Sequence, residues 1–367
     1  MSEKVIFLRS QLPKTDARLQ RYISILEQEK IEHLVIGWIR NGIQVDLDKK
    51  QILYRSKTPI GGGIKNIFSL ILWNFFLIGT LWKNSKNYTT IHSVDFDTAI
   101  PAYVISFILK KKFILDIYDK YTDARKMPLF ISKIIDVIEY FCCKRASVLI
   151  LPDICRIKQL NLEDNIKPII FENVPIVSNF QKHNITFDKT IILSYVGILE
   201  AKNRGLENLL DVVSENATGT KLLIAGDGEL KEFVEKMAEK YDNILFYGGV
   251  SQQRALEIMN SSHIIVGMYY KTIKNHLFAS PNKYYEHLFL GKTLLTTEGT
   301  PPGDKVLKYN TGYAIGETKE DIERIIDDFD FSQWQSFTEN AKKRWNDQYS
   351  NYQEELSKRY INLIEHK

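Results

Sequence analysis

Cysteine is scarce in this chain: Cys142, Cys143 and Cys155 are an odd set of three in 367 residues, with no CxxC spacing. That fits a reducing cytosol better than a disulfide framework. Charge of one sign is also lacking, since 49 Lys and Arg against 45 Asp and Glu leave a formal +4. No RNP, zinc-finger or basic-helix pattern accompanies that balance, so no nucleic-acid partner is expected. The opening MSEKVIFLRSQLPK lacks the basic-then-apolar order of a secretory signal, so a cytoplasmic chain is expected. Long hydrophobic runs are nearly absent. The one candidate, Ile67 to Trp82, falls short of a comfortable bilayer span and carries Asn74 near its middle. It reads either as a buried core helix or as an interfacial helix resting on a membrane. Lys65, Lys83 and Lys86 flank it, and Lys110-Lys111-Lys112, Lys126, Lys133 and Lys144-Arg145 follow. Together these suit an anionic cytoplasmic leaflet; singly, each suits solvated surface.

What is present is ordinary globular composition, 44% hydrophobic and 26% charged, at a length that suggests two domains. Val5 to Leu8 and His33 to Trp38 read as strands, with Asp16 capping a helix between them and Arg18 either solvated or lining a cleft. Gly61-Gly62-Gly63 lacks the GK[ST] of a phosphate loop and reads as a hinge. A strand ending near Ile91 leads into His92-Ser93-Val94-Asp95-Phe96-Asp97, and the strand Phe113 to Asp119 ends in Tyr118 and Asp119. In a parallel sheet these loops are neighbours, so His92, Asp95, Asp97, Tyr118 and Asp119 are expected to converge on one wall. The local alternative makes Asp95 or Asp97 a helix cap and His92 a satisfied loop histidine. Val177 to Lys189 reads as a linker. From Ile191 the alternation restarts: a strand to Gly197, a loop with Lys202 and Arg204, a strand into the turn Gly226-Asp227-Gly228, a strand before Val250, and another from His263 to Met268.

The most informative stretch is FASPNKYYEHLFLGKTLLTTEGT, Phe278 to Thr300. Ser280 is placed to cap a helix with Pro281 at its first position. Asn282 and Lys283 then fall in the first turn, where unpaired N–H groups and the helix dipole favour an anion. Glu286 lies four residues after Asn282 and three after Lys283, so the three border one patch. Gly291 ends the helix. A cationic helix start with a carboxylate one turn on is what a nucleoside diphosphate needs: the positive end for phosphates, the carboxylate for ribose hydroxyls. An ordinary capped helix with a Lys–Glu surface pair has the same pattern.

This stretch resembles the donor-nucleotide motif of GT-B glycosyltransferases, family 4-like, particularly those building bacterial capsule and O-antigen polysaccharides. The resemblance implies an α/β protein of two Rossmann-like domains facing a cleft, with a C-terminal helix returning to the first. Its expected limits are 1–180 for an acceptor-binding domain, 188–335 for a nucleotide-sugar-binding domain and 336–367 for the returning helices. Asn173-x-Pro175 resembles the signal that closes the first domain. By resemblance, Ser280, Pro281, Asn282 and Lys283 face the diphosphate and Glu286 binds the ribose. Gly197, Lys202 and Arg204 match the strand–Gly–loop element whose basic side chains clamp phosphate, with Arg204 in the Lys position; Gly226, Asp227 and Val250 match the turn and the base contact. The chain departs from the family at Phe278, where an earlier Glu often touches the sugar, at Ile198, where an Arg commonly stands, and at Tyr118, where a catalytic His often stands. Asp119, Asp97, His92 and Tyr118 are therefore the residues to test for catalysis.

The implied activity is transfer of a sugar from a UDP- or GDP-type donor to a saccharide acceptor, lipid-linked, in surface polysaccharide synthesis, with retention. No metal and no further cofactor are expected, and the chain is placed in the cytoplasm, peripheral on the inner face of the membrane. Two alternatives stand beside it: a metal-dependent glycosyltransferase using Asp95 and Asp97, and a non-catalytic binding or scaffold subunit on the same fold.

Overall fold

The computed structural model describes residues 4–40, 50–57, 67–125, 127–176, 180–182, 188–216 and 218–365. The expected Gly61–Gly63 hinge, Lys65, Lys126 and most of the expected linker lie outside that set. The chain divides into two compact units, Met1–Glu172 with Gln353–Lys367, and Asn173–Tyr352.

The first unit is built on strands β1 (Lys4–Arg9), β2 (Glu32–Arg40), β3 (Gln51–Ser56), β4 (Thr90–Val94), β5 (Lys112–Asp116), β6 (Val148–Leu151) and β7 (Ile169–Ile170). They run parallel in the order β3-β2-β1-β4-β5-β6-β7. Strands such as VIFL in β1 are apolar on both faces because helices cover both faces of a parallel sheet. From β1 the chain moves outward to β2 and β3, then returns to the other side of β1, so the switch point lies between β1 and β4. Right-handed crossovers in opposite directions put the helix Ala17–Gln28 on one face and the helices Ile67–Lys83, Phe96–Leu109 and Leu129–Arg145 on the other. Trp73, Leu77, Leu81, Ala102, Ile105 and Cys142 accordingly share one core with Ile6, Leu8, Ile91 and Phe113. On the opposite face, Tyr360 of the final helix, Tyr352–Glu365, packs against Tyr22 and His92.

The second unit repeats the topology with β8 (Ile191–Val196), β9 (Thr220–Ala225), β10 (Ile244–Phe246), β11 (Ile264–Gly267), β12 (Thr293–Thr297) and β13 (Gly312–Ile315). These strands are parallel in the order β10-β9-β8-β11-β12-β13, which puts the switch point between β8 and β11. Two parallel sheets of this kind, one per unit, are the expected pair of Rossmann-like domains. The edge strand β3, QILYRS, is half polar and is not singled out by the sequence pattern.

Candidate functional site

Two loops flank the switch point of the second unit, one after β8 and one after β11, and the backbone N–H of Tyr270 donates to the carbonyl of Asn203 across them (3.1 Å). Ligands of open α/β sheets gather at this position. Arg204 comes from the first loop. Its guanidinium lies 5.0 Å from the centre of the Tyr269 ring and donates to Glu200 (3.2 Å). Burial works against its charge, but Tyr269, Tyr195 and Glu200 outweigh burial and hold its pKa above that of an ordinary arginine. Tyr269 comes from the second loop, and burial pushes its hydroxyl up to about 12, with Glu286 close enough to add to that rise.

The second loop runs into the helix Asn282–Leu290. The structure corrects its start: Pro281, not Ser280, is the N-cap, at φ −77° and ψ 148°. Ser280 instead offers its carbonyl to Asn173 (2.8 Å). No side chain caps this helix, so its first-turn N–H groups keep the anion-seeking character that a capping serine would have quenched. Lys283 Nζ donates to Glu286 (2.8 Å), and the pair is largely withdrawn from solvent, at 15% and 9% side-chain exposure. It is therefore a lysine–glutamate pair, as the plainer reading expects, but set beside the switch point rather than on open surface. Gly291 ends the helix in the left-handed region, as expected.

The remaining candidates of this unit line the same strand ends. Gly197 follows β8, and its carbonyl approaches Gly226 so closely that a Cβ on Gly226 would lie 1.8 Å from it. The Leu199 N–H donates to the Asp227 carbonyl (3.0 Å), which stitches the two loops together. The Asp227 side chain bonds the Gly228 N–H (3.1 Å) and is mostly exposed. Lys202 is exposed at φ 68°, and Val250 is half-buried beyond β10.

In the first unit the structure rearranges the expected group. β4 continues to Val94, so His92 sits inside the strand, fully buried, rather than in a loop. Its Nδ1 meets the Tyr360 hydroxyl (2.7 Å) and its Nε2 lies 3.7 Å from Asp116. Burial lowers its pKa. The ring is thus held inside the core between Tyr360 and Asp116. β5 ends at Asp116, so Tyr118 and Asp119 lie in the following loop. Tyr118 packs beneath Arg9 and Arg18, with ring-centre distances of 4.7 and 5.1 Å. Asp119 is exposed and accepts from the buried Arg156 (2.7 Å).

Asp95 and Asp97 do come to the switch point, but each is engaged separately. Asp95 accepts from Arg9 and from the Tyr118 N–H (2.8 Å), and Asp97 from Ser10 (2.8 Å) and Arg125 (3.3 Å). Among the described residues no cluster of three or more His, Cys, Asp or Glu is placed to hold a metal. Asp95 stands at the N-cap of the helix Phe96–Leu109, as the local alternative expects, but its side chain makes no capping bond and its backbone sits at φ 60°, ψ 171°, a conformation costly for any residue but glycine. Burial raises its pKa to about 6 despite Arg9.

Arg9, Asp116 and Tyr269 are contributors that the pattern does not single out as site-forming. Asp116 is visible only as a carboxylate inside an apolar strand. Arg18 is neither solvated nor at a surface: it grips Asp116 with two bonds of 3.1 and 3.0 Å.

No curated protein sequence matches the chain. Residues 177–344 match the family described as glycosyl transferases group 1. Among solved structures the chain is similar to Anabaena HepE in complex with UDP and glucose, at TM-score 0.69 and 13% identity over 98% of this chain and 100% of that one. It is similar to sucrose-phosphate synthase from Thermosynechococcus elongatus, at TM-score 0.68 and 12% identity over 98% and 99%. It is also similar to a putative UDP-N-acetylglucosamine 2-epimerase from Listeria monocytogenes, at TM-score 0.61 and 13% identity over 99% and 96%. The protein thus has the GT-B fold over 98% of its length, and its residues 177–344 are similar to the group 1 glycosyl transferases.

Proposed function

We propose that this protein transfers a sugar from a nucleoside-diphosphate donor of the UDP type to a saccharide acceptor, with retention, in the manner of family 4-like enzymes of surface polysaccharide synthesis. The acceptor is carried on a lipid at the inner face of the membrane. The single observation that carries the reading is the convergence of Arg204, Lys283 and an uncapped helix N-terminus at the switch point of the second unit, with Glu286 one turn on. The group 1 family match and the UDP bound by HepE support it.

The pairing of Lys283 with Glu286 suggests how binding proceeds. A diphosphate carries more charge than one carboxylate, so it draws Lys283 away. Glu286 is then released to accept from the ribose hydroxyls, and both groups gain a partner in one step. As the sugar leaves, charge grows on the β-phosphate, where Arg204, Lys283 and the helix end stabilise it without a metal ion. In the first unit, Asp97 and Asp119 are the acceptor-facing candidates, with Tyr118 positioned by the arginines above it.

The test is UDP affinity by calorimetry for the wild type, Lys283→Ala and Glu286→Ala, followed by turnover of a panel of UDP- and GDP-sugars. Loss of one charge-assisted contact costs about 1.5–3 kcal/mol, so each variant should bind UDP about ten- to a hundredfold more weakly. Unchanged affinity in both would remove the site assignment. Full nucleotide binding with no transfer from any donor would favour the scaffold alternative, which the departures at Phe278 and Ile198 keep open.

A further inference from the structure

The helices Ile67–Lys83, Phe96–Leu109 and Leu129–Arg145 cover one face of the first sheet, and their outer side is far from polar. Of the nineteen large apolar side chains exposed among the described residues, twelve lie on these three helices. The first helix is apolar all round: Trp73, Leu77 and Leu81 face the core while Phe68, Ile71, Phe75 and Trp82 face out. On the third, Phe130, Ile134, Val137 and Phe141 form a second outward stripe at helical spacing. Phe68, Phe75, Phe107 and Phe130 are 69%, 67%, 73% and 74% exposed. A continuous apolar surface of this kind marks an interaction site, and no described helix is long and apolar enough to cross a membrane.

Charge identifies the occupant. All three helices run antiparallel to their strands, so their carboxyl ends share one edge of the sheet. Lys83 and Lys86, Lys110 and Arg145 are exposed along that edge. None of the three helices carries an exposed acidic group without a partner, and Glu163 at the basic edge is paired with Lys144 (3.5 Å). The first helix has none, Asp97 and Glu139 are buried, and Asp136 is occupied by Thr122 and Lys120. A second copy of the chain meeting this face about a twofold axis parallel to the helices would bring basic edge toward basic edge. An anionic bilayer offers the complement to both parts: acyl chains for the aromatic side chains and headgroups for the lysines.

We infer that this three-helix face is a docking surface for an anionic lipid bilayer, holding the protein in the interface without spanning it. The inference extends the proposed lipid-linked acceptor, and its test reads lipid binding with no donor or acceptor present, so either idea can fail alone. The full chain is sedimented with phosphatidylcholine vesicles with and without phosphatidylglycerol. It should partition onto the anionic vesicles, bind pure phosphatidylcholine far less and be released by salt. Phe75→Glu with Phe130→Glu should reduce partitioning at least tenfold. Each of Lys83→Gln and Lys110→Gln should reduce it about fivefold. All variants should keep the wild-type melting temperature and UDP affinity, because these side chains are exposed and lie outside the second unit. Absence of vesicle binding, or undiminished binding by the phenylalanine variant, overturns the inference. A wild-type dimer in sedimentation velocity that Phe75→Glu dissociates would also overturn it and assign the face to a second copy.

Discussion

Arg18 and Asp116 show what one buried pair can decide. Asp116 has no exposed surface, and it receives two bonds from Arg18 and a third from Tyr22 (2.8 Å). Burial by itself would raise its pKa, but Arg18 and His92 outweigh burial and bring it down to about 2. Such a pair is worth little net against a well-packed apolar replacement, yet breaking it leaves a naked buried charge. Asp116→Asn should therefore destabilise the first unit by about 3–5 kcal/mol in urea denaturation, whereas Asp116→Leu combined with Arg18→Met should recover most of that loss. Equal losses in the single and double variants would mean that the pair does more than neutralise itself. None of this is readable from the sequence. FILDIYD announces a strand, but which of its two aspartates is itself buried depends on where the strand ends, and it ends at Asp116.

At the scale of elements, the loops after β8 and β9 form one backbone-to-backbone contact. The Gly197 N–H donates to the Ala225 carbonyl (2.9 Å), and Gly226 presses on the Gly197 carbonyl at φ 151°. A methyl group on Gly226 has no room there and would meet a backbone oxygen that cannot swing aside. Gly226→Ala should cost about 3 kcal/mol or more in a thermal melt and weaken UDP binding, because the loop carrying Arg204 loses its support. Gly249→Ala, which has open space around its Cβ position, is the control and should melt like wild type. These elements are also where sequence reading succeeds best. The alternation of strands and helices, the ending of the donor helix at Gly291 and the Lys283–Glu286 spacing were all legible, because each is a local pattern. The cap itself is not legible, since serine and proline compete for adjacent slots and only backbone angles put Pro281 there rather than Ser280. The setting of His92 is hidden for a different reason: its partner, Tyr360, lies 268 residues away.

Across the whole molecule, one buried titratable group in each unit, Glu139 and His287, makes stability respond to pH in opposite directions. In the first, Glu139 is 1% exposed, and burial raises its carboxyl to about 8, against the pull of the Tyr121 N–H and Lys120. Between its unfolded value and 8 the folded state holds a proton that the unfolded state has released. Stability from this group thus falls as pH rises, by about 2 kcal/mol from pH 6.5 to 8. In the second unit, His287 is fully buried, its Nδ1 on the Lys292 carbonyl (3.0 Å), and burial lowers its pKa to about 4. Here the unfolded state takes up a proton first as pH falls below 6.5, so stability drops by about 3 kcal/mol on the way to pH 4. Hydrogen exchange read separately on peptides from β4–β6 and from β11–β12 should then show protection in the first set declining from pH 6.5 to 8, after correction for intrinsic rates. Protection in the second set should decline from pH 6.5 to 4. Glu139→Gln should flatten only the first response and His287→Gln only the second. A single shared profile in both sets of peptides would mean that the two units unfold as one and that neither group sets the pH limit of its own sheet.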